Sequence, residues 1–354
     1  MDKKLQFDFS TVQKIITKIA HIDSFKGKWS AMERQENVYL KELRKIATIQ
    51  SIGSSTRIEG ATMTNEEIET LLSNLKINKL SSRDEQEVFG YYEVLELLLE
   101  NHNEIELTEG NIFNLHNILL KFSGKDQHHR GNYKQLSNKV VANYPDGTQR
   151  TIFNTTEPYL VSKEMSDLLT WINNTFANNT IHPLLVIGTF IYEFLSIHPF
   201  QDGNGRLSRL LTTLLLLQRG YDFIQYISFE NQIEDKKQEY YKVLMDAQQY
   251  RASEKEIVHK WMLFFLSSLE TLIQKLEAKY QQYKAKGPYL NERQKQLLEF
   301  IKINEPVKLN DAVTYLPEIS KSTIRKDLQY LNQEAVIEQL GKGKATIYII
   351  KVKE

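Results

Sequence analysis

The sequence predicts a mainly helical protein with one β-hairpin among the helices and a small mixed α/β domain at the carboxyl end. Apolar residues recur at three- and four-residue spacing along most of the first 280 positions, as in the series Tyr39, Leu43, Ile46 and Ile49. This is the period of an amphipathic helix. The chain has 354 residues, which is too many for one small core, so more than one domain is expected.

The composition excludes several classes of function. Lys plus Arg and Asp plus Glu number 45 each, so no overall charge attracts the chain to nucleic acid or to an anionic membrane. The sequence has no cysteine, which excludes disulfides, thiolate nucleophiles and cysteine zinc sites. The longest apolar run, Leu210 to Leu217, is far shorter than the ~20 residues that cross a bilayer, and the first ten residues lack the apolar segment of a secretory signal. We expect a cytoplasmic protein with no membrane partner.

Apolar stripes predict the first helices and leave one segment for a hairpin. A helix is predicted from Glu36 to Glu59, with Gly60 in the position that commonly ends a helix. Further helical stripes are Ile68–Leu75, Val88–Leu99, Ile112–Phe122 and Met165–Trp171. Between the last two, β-prone runs at 139–144 and 151–153 flank the turn sequence Pro145-Asp-Gly-Thr148. A lone hairpin is marginal in water, so it is expected to pack on the helices or to cover a site.

The carboxyl-terminal part follows a long helix predicted over Arg251 to Lys284 and the helix breaker Gly287-Pro288. Beyond the breaker the pattern predicts a helix at 291–303, a short strand at 307–309, a helix capped by Asn310, a helix capped by Ser320 or Ser322, and strands near 336–340 and 346–352. The predicted organisation is an N-terminal helical region over 1–110, a core over 111–286 and a small domain over 288–354.

The most unusual stretch is HPFQDGNGRLSR, residues 198–209. Pro199 prevents the preceding helix from continuing, so His198 is predicted at a helix exit. Gly203 and Gly205 let the backbone approach a ligand closely. A new helix is predicted to begin beside them, at Asn204 or Gly205. The free N–H groups at a helix start favour phosphate, which makes this loop a candidate anion site.

The charged side chains of this stretch also fit an anion site. Arg206 and Arg209 are three residues apart and are predicted to share an exposed face turned away from the leucine stripe, where two guanidiniums could clamp a polyphosphate. Asp202 suits Mg²⁺, which takes one or two carboxylates together with phosphate oxygens. An unperturbed histidine titrates near neutrality, so His198 is expected to be able to accept a proton from an attacking hydroxyl. A histidine before proline or a Gly-Asn-Gly turn is usually structural when it occurs alone, but the convergence of these residues favours a functional site.

This stretch resembles the signature of the Fic family, H-x-F-x-[D/E]-G-N-G-R-x-x-R. The fixed positions are filled by His198, Phe200, Asp202, Gly203, Asn204, Gly205, Arg206 and Arg209. The resemblance implies a Fic-type helical bundle and transfer of AMP from ATP to a Ser, Thr or Tyr hydroxyl of a protein. It also implies that His198 is the base, that Asp202 binds Mg²⁺, and that Arg206 and Arg209 bind the β- and γ-phosphates. Asn204 and the glycine amides would hold phosphates, and the ATP-binding loop would extend through Leu207 and Ser208.

Other parts of the chain match further features of this family. A kinase-type toxin branch has Lys in place of the second glycine, so the intact Gly205 and Arg209 favour AMP transfer over phosphorylation. The hairpin lies where the family carries its flap, which would align a protein substrate along residues 139–153 by strand addition. The sequence Gly131-Asn-Tyr-Lys134 resembles the family's G-x-[YF]-R with Lys for Arg, which leaves the role of Lys134 open.

The choice of nucleotide depends on the resemblance alone. Tyr240, Tyr241 and Gln248 are placed where the family lines its adenine pocket, with Gln248 where Asn is common. Positions in the aromatic core are the alternative for the two tyrosines. Because relatives use UTP, GTP or CDP-choline, ATP is implied by the family and is not decided by any residue of this sequence.

The segment Ser55-Thr-Arg-Ile-Glu59-Gly60 is a candidate inhibitory element. Glu59 lies in the last turn of its helix, where a negative charge costs a few tenths to ~1 kcal/mol and calls for a partner. Ser55 lies one turn earlier on the same face. The segment resembles the family's inhibitory helix, [S/T]-x-x-x-E-[G/N], which implies that Glu59 pairs with Arg209 and slows the resting enzyme. The alternatives are a solvated glutamate, or a glutamate that helps water to remove AMP from a modified target, as in some relatives.

Residues 288–354 resemble a winged helix-turn-helix domain. The segment Ser320–Lys326 would begin the recognition helix, and Lys342 and Lys344 would form the tip of the wing. With 11 basic and 9 acidic residues the domain carries a net charge of only +2, which is a weak footprint for DNA. DNA binding through 320–345 and docking on a protein both stay open, as does a homodimer through exposed helix faces. The rival function is a transcription regulator whose Fic domain senses nucleotide.

Overall fold

The computed structural model describes residues 1–33, 38–74, 80–143, 149–286, 290–334, 336–341, 343 and 346–351. Two compact units are present, Met1–Leu276 and Glu277–Glu354. The larger unit is built from helices with one hairpin, and the smaller one combines helices with a three-stranded sheet. The predicted fold class, mainly helical with a small α+β domain, is confirmed.

The helices before residue 287 surround a central pair. In chain order they are α1 (Phe9–Glu33), α2 (Val38–Ile58), α3 (Asn65–Ser73), α4 (Arg83–Asn101), α5 (Glu109–Leu119), α6 (Pro158–Asn178), α7 (Pro183–Ile197), α8 (Asn204–Gln218), α9 (Phe229–Asp235), α10 (Lys237–Gln248) and α11 (His259–Lys286). Among the described helices, none is both long enough and apolar enough to cross a bilayer.

The central pair is α7 and α8, which pack on each other, with α6 against α7 and α4 against α8. Nearly every residue of α7 is buried, and α8 buries its run of leucines. A helix that is apolar on all sides has to be enclosed by other elements. The loop between the two helices, residues 198–203, is therefore held at one end of the most enclosed part of the molecule.

The predicted hairpin is present as strands β1 (Lys139–Asn143) and β2 (Gln149–Asn154). The strands pair antiparallel from Lys139 opposite Asn154 to Asn143 opposite Gln149, with an irregular register between Val140 and Val141. The predicted turn at 145–148 lies outside the described residues. Strand β2 lies beside α10, so the hairpin packs on the helices, as expected of an isolated pair of strands.

Two helix predictions differ from the structure. Helix α1 was not predicted, although Ile15, Ile22, Phe25 and Trp29 are buried at helical spacing. The helix predicted from Arg251 begins instead at His259. Arg251 is bound to carboxylates of two other helices, and Ala252 has a φ of +65°. These tertiary contacts and the left-handed backbone at Ala252 prevent a helix from starting at Arg251.

The smaller unit contains α12 (Glu292–Asn304), β3 (Val307–Lys308), α13 (Leu309–Tyr315), α14 (Lys321–Gln333), β4 (Ile337–Leu340) and β5 (Ile347–Ile350). The strands form an antiparallel sheet in the order β3-β5-β4. Leu297, Ile301, Ile324, Leu328 and Leu331 form its buried centre.

Two capping predictions in the smaller unit are now decided. Ser320 caps α14, because its side chain accepts a hydrogen bond from the N–H of Thr323. Lys308, and not Asn310, stands at the start of α13. Lys342 and Lys344, predicted at the wing tip, lie outside the described residues, as does the predicted breaker Gly287-Pro288.

Candidate active site

His198 ends α7 in the left-handed conformation, with a φ of +53°. Its N–H donates to the carbonyl of Phe194 at 2.9 Å, and its Nδ1 lies 3.4 Å from the carbonyl oxygen of Leu195. A carbonyl can only accept a hydrogen bond, so this contact assigns the proton to Nδ1 and leaves the lone pair on Nε2. Burial, followed by the charge of Lys134, lowers the pKa of His198 to about 4. The imidazole is therefore neutral at pH 7 and able to accept a proton.

The loop after His198 is held by Asn204. The Oδ1 atom of Asn204 accepts from the N–H of Phe200 at 2.9 Å, and its Nδ2 donates to the carbonyl of Phe200 at 2.8 Å. Gly203 has a φ of +82°, a conformation that glycine adopts with little strain. Oδ1 and one N–H of Nδ2 are thus used within the loop, which leaves the second N–H of Nδ2 and the main-chain N–H as the donors that Asn204 could offer to a phosphate.

His116 of α5 also fixes the loop, a role that the sequence does not predict. Its Nδ1 accepts from the N–H of Gly131 at 2.9 Å, so its Nε2 donates to the carbonyl of Asp202 at 3.0 Å. The ring stacks on Phe200 with centroids 3.8 Å apart, and burial lowers the pKa of His116 to about 4. A histidine within an apolar helical stripe was the only signal in the sequence, and it does not identify the tertiary partner.

Asp202 is paired with two cations. Its Oδ1 accepts from Nη2 of Arg206 at 3.0 Å and its Oδ2 from Nζ of Lys125 at 3.1 Å. Burial raises the pKa of Asp202, but the charges of Arg206 and Lys125 outweigh it and hold that pKa well below the usual range, so the carboxylate is ionised. In the described part of the chain no group of three His, Cys, Asp or Glu side chains could hold a metal. A single carboxylate beside an anion site fits Mg²⁺ that takes its other ligands from phosphate and water.

Arg206 is buried, and the prediction that it faces outward is wrong. The residue is 1% exposed. Besides Asp202, it lies near Glu87 of α4, whose Oε2 is 3.4 Å from Nη1 of Arg206. Nε and Nη1 of Arg206 are buried without a hydrogen-bond partner among the described groups. The wheel of α8 places this side chain off the leucine stripe, but α4 covers that side of the helix.

Arg209 is 3% exposed, so the prediction of an exposed face is wrong for this residue as well, and its partners are Ser55 of α2 and Glu59 directly after α2. Its Nε donates to the hydroxyl of Ser55 at 2.7 Å, and its Nη2 donates to the carbonyl of Ser55 at 2.9 Å and to Oε1 of Glu59 at 2.8 Å. Gly60 follows with a φ of +110° and ends this segment. Arg206 and Arg209 are therefore directed at different partners in this conformation.

The Glu59 carboxylate lies directly over Gly205. A β-carbon at Gly205 would be 2.2 Å from Oε1 of Glu59, so only glycine leaves room for this approach. Burial raises the pKa of Glu59, but the charge and hydrogen bond of Arg209 more than offset it and lower that pKa below its usual value. The carboxylate is therefore ionised, and it occupies the anion-attracting start of α8.

One cavity of about 140 Å³ collects most of the predicted site residues. It is lined by Glu59, Leu195, His198, Gln201, Asp202, Gly203, Asn204, Gly205, Arg209, Tyr240, Tyr241, Leu244 and Gln248. The side chain of Leu207 lies in the core, and the Ser208 hydroxyl donates to the carbonyl of Gly205 at 2.8 Å. Neither of these two residues lines the cavity, nor do Arg206, Ser55 and Gly60.

The residues predicted for the adenine pocket line the side of the cavity formed by α10. The rings of Tyr240 and Tyr241 have centroids 5.2 Å apart, and Tyr240 also contacts Trp261 at 5.9 Å. Gln248 donates through Nε2 to the hydroxyl of Ser196 at 2.9 Å. The two interpretations of Tyr240 are compatible, because it packs against the aromatic core and also faces the cavity.

Comparison with known proteins finds two matching families in the chain. The Fic/DOC family matches residues 106–216, and a DeoR-like helix-turn-helix domain matches residues 293–346. The protein adenylyltransferase Fic of Drosophila willistoni is 28% identical over 210 residues, which are 58% of this chain and 39% of that protein. The protein of the same name from Aedes aegypti is 30% identical over 189 residues, 52% of this chain and 35% of that protein. These matches thus span less than two fifths of the relatives' length.

Solved structures share the fold. A Fic family protein from Desulfovibrio desulfuricans superposes with a TM-score of 0.63 at 24% identity over 96% of this chain and 97% of that one. A Fic domain containing signaling protein from Bacteroides thetaiotaomicron gives 0.57 at 22% identity, covering 73% of this chain and 97% of that one. The larger unit therefore has the Fic fold, and the loop at 198–209 lies within the residues that match the Fic/DOC family. The chain carries a Fic domain followed by a DeoR-like helix-turn-helix domain.

Proposed function

We propose that this chain is a protein adenylyltransferase that transfers AMP from ATP to a serine, threonine or tyrosine hydroxyl of a protein. The observation that carries the proposal is that His198, Gly203, Gly205 and Arg209 line one cavity at the start of α8. This arrangement suits a triphosphate bound at a helix N-terminus with a neutral imidazole beside it. The relatives named protein adenylyltransferase support AMP as the transferred group.

In the proposed reaction, Nε2 of His198 accepts the proton of the target hydroxyl while the hydroxyl oxygen attacks the α-phosphorus of ATP. The bond from the α-phosphorus to the oxygen that bridges it to the β-phosphorus breaks, and pyrophosphate leaves. Main-chain N–H groups at the start of α8 orient the phosphates, and Arg209 binds the γ-phosphate. Asp202 would hold Mg²⁺, which neutralises phosphate charge when it is bound. Lys125 would have to move away from Asp202 to allow this.

We propose further that Glu59 inhibits this reaction within the same chain. The Arg209 guanidinium already has three hydrogen bonds to Ser55 and Glu59, so it is not free to bind a γ-phosphate. The Glu59 carboxylate over Gly205 also repels an incoming triphosphate. A nucleotide that enters beside this pair would lack its γ-phosphate contact, and its α-phosphorus would not be aligned with the target hydroxyl.

The nucleotide and the target are proposed from the surroundings of the cavity. Tyr240 and Tyr241 provide aromatic surface for a base, and Gln248 provides an amide at the same wall. The hairpin beside α10 offers strand edges on which a protein segment could pair through its main chain. Main-chain pairing would position segments of many sequences, so the hairpin by itself selects its target weakly.

The intact mass of the Glu59→Gly protein after incubation with ATP and Mg²⁺ tests the proposal. Removal of the carboxylate frees Arg209, so we expect the protein to gain the mass of one or more AMP groups by self-modification, while the wild type gains far less. His198→Ala in the Glu59→Gly background should abolish the gain. Glu66→Gly, which removes an exposed glutamate at the start of α3, is the matched control and should behave as wild type.

Three results would contradict parts of this proposal. A gain of one phosphate in place of AMP would indicate phosphorylation. Equal labelling of the wild type and Glu59→Gly would remove the inhibitory role of Glu59. No gain in any variant, with ATP still bound, would favour a domain that senses nucleotide without transferring it.

The second candidate function is that of a nucleotide-responsive DNA-binding regulator, and one observation favours it. In the DeoR-like domain, Lys321, Ser322, Arg325, Lys326 and Gln329 are exposed along α14, and such side chains contact phosphates and base edges.

Removal of AMP by Glu59 is not favoured. A carboxylate paired with Arg209, with its pKa lowered, is a weak base for activating water.

A further inference from the structure

Lys134 is a buried lysine whose amine joins three segments of the chain. The residue is 3% exposed. Its Nζ donates to Oδ1 of Asn138 at 2.8 Å, to the hydroxyl of Thr155 at 2.6 Å and to the carbonyl of Ile197 at 3.3 Å. All three donors of the ammonium group are therefore used. None of the three acceptors is a carboxylate, which makes this an expensive way to bury a cation if packing were its only purpose.

Two of these acceptors lie at the base of the hairpin. Asn138 immediately precedes β1, and Thr155 immediately follows β2. The hydroxyl of Thr155 is also within hydrogen-bonding distance of the carbonyl of Asn138, at 2.9 Å. The amine of Lys134 thus links the residue before β1 to the residue after β2, where the hairpin joins the helices.

The other contacts of this junction surround His198. Ile197, whose carbonyl accepts from Lys134, precedes the histidine. The N–H of Lys134 donates to the carbonyl of Pro199 at 2.9 Å, and Nδ2 of Asn138 donates to the carbonyl of Phe200 at 3.0 Å. The base of the hairpin is therefore attached to the main chain on both sides of the histidine.

We propose that Lys134 is a positioning residue, which fixes the base of the hairpin to the histidine loop so that a target segment paired with the hairpin brings its hydroxyl to Nε2 of His198. The inference rests on the proposed function and deepens it. Lys134 does not line the cavity, so it acts through Asn138, Thr155 and the main chain of the loop and makes no contact with nucleotide. A hairpin free to shift by about 1 Å would lose the alignment on which transfer depends.

The charge of Lys134 has a second consequence at His198. After burial, this charge is the largest cause that lowers the pKa of His198 to about 4. Glu59 and Asp202 act in the opposite direction. Loss of the ammonium group should therefore raise the pKa of His198. Loosened packing around the buried ring would also raise it, so the effect of the charge is the part of the rise that Thr155→Val, which keeps the ammonium group, does not reproduce.

The experiment compares Lys134→Met with Lys134→Arg in the Glu59→Gly background. Hydrogen exchange of the hairpin amides should be about tenfold faster in Lys134→Met, and the NMR titration of His198, assigned by its absence in His198→Gln, should move to higher pH. The kcat for self-labelling should fall about tenfold or more, while affinity for a nonhydrolysable ATP analogue stays within about twofold. Lys134→Arg keeps the charge and several donors and should restore most of the kcat. Lys163→Met, at an exposed position of α6, should change none of these quantities.

Unchanged hairpin exchange together with an unchanged His198 titration in folded Lys134→Met would overturn the proposal. If Lys134→Met does not fold, Thr155→Val removes one acceptor at nearly constant volume, and it should also speed exchange of the hairpin amides. Exchange and titration need no transfer of AMP. If no variant labels itself, the proposed function fails while these two measurements still decide the role of Lys134.

Discussion

At the scale of single residues, Gly205 decides how closely the Glu59 carboxylate can approach the start of α8. A β-carbon at this position would meet Oε1 of Glu59 at 2.2 Å. In the sequence, Gly205 indicates only that a ligand can approach the backbone. In the structure, the space beside Gly205 is filled by the Glu59 side chain of the same protein. The absence of a side chain at Gly205 therefore leaves room both for the proposed ligand and for the carboxylate proposed to inhibit its binding.

Two histidines should make folding stability depend on pH. Mainly because of burial, the pKa values of His116 and His198 are lowered from 6.5 to about 4. Between these pH values the unfolded chain binds more protons than the folded chain, so the free energy of unfolding is greatest above pH 6.5 and falls as the pH is lowered towards 4. Each histidine should contribute roughly 3 kcal/mol or less to this fall.

Urea unfolding at about pH 7 and about pH 5 measures the effect. The loss of stability between the two pH values should be smaller in His116→Gln than in the wild type, whatever the absolute stability of the variant. His128→Gln, at an exposed position, is the matched control. An equal loss in all three proteins would show that burial of His116 does not oppose its protonation.

Part of the site can be predicted from the sequence, because its residues are adjacent along the chain. The loop at 198–209 has helix ends, glycines and charges in fixed order, and these predict an anion site at the start of α8. The pairing of Glu59 with Arg209 follows from resemblance and is present in the structure at 2.8 Å. His116 and the burial of Arg206 could not be predicted, since both depend on which helix covers which face after folding.

At the scale of elements, the end of α2 is anchored to α9 and α10 independently of Glu59. Nε and Nη2 of Arg57 donate to the two carboxylate oxygens of Glu234 at 2.8 and 2.9 Å. Nζ of Lys237 donates to the carbonyl of Ile58 at 2.8 Å. Both contacts are made by the last two residues of α2, directly before Glu59, so they hold this segment in place without lining the cavity.

Glu234→Gln should therefore weaken inhibition without altering any residue of the cavity. Loss of this two-point charged pair, which is only partly exposed to solvent, should free Arg209 in more molecules. We expect self-labelling about 2- to 10-fold above the wild type and below Glu59→Gly. Asp235→Asn is the control at the next position, where an exposed pair with Lys275 contributes little. Labelling of Glu234→Gln at the wild-type level would mean that this anchor does not hold the inhibitory segment.

Element boundaries were less predictable than the existence of the elements. The stripes of α4, α5 and α6 are strongly periodic, and each is a helix in the structure. Helix α11 begins eight residues after the predicted start at Arg251, because the bonds from Arg251 to Glu164 and Glu193 connect residues far apart in sequence. Periodicity along the chain contains no information about such bonds.

At the scale of the whole molecule, the chain has two units with separate buried centres. The larger unit contains the cavity, and the smaller one matches a DeoR-like helix-turn-helix domain. In the smaller unit, Arg293 of α12 binds Asp327 of α14 through Nε and Nη2, which fixes the helix proposed to contact DNA. This ion pair gives α14 a defined orientation within its own unit.

If the smaller unit binds DNA in a sequence-specific way, the immobilised full chain should enrich particular sequences from a pool of random DNA duplexes. The selection is made in ~200 mM salt, where purely electrostatic binding is weak. Arg325→Gln should reduce retention about tenfold, since a base contact of this kind is worth ~1–3 kcal/mol. Lys295→Gln, on the exposed side of α12, is the matched control. No enrichment of any sequence would leave docking on a protein as the use of this domain.

Arg209 is held by hydrogen bonds to Ser55 and Glu59. The strength of the proposed inhibition therefore depends on the fraction of molecules in which these bonds are broken. The observed rate of transfer scales with the fraction of molecules in which the guanidinium is free, and a tenfold change in that fraction corresponds to about 1.4 kcal/mol. Single hydrogen bonds at the end of α2 are of this size. Each such change around residues 54–60 would thus shift the resting output by up to about tenfold, and several together, about 5.5 kcal/mol, would take it from nearly silent to nearly fully active with the loop at 198–209 left untouched.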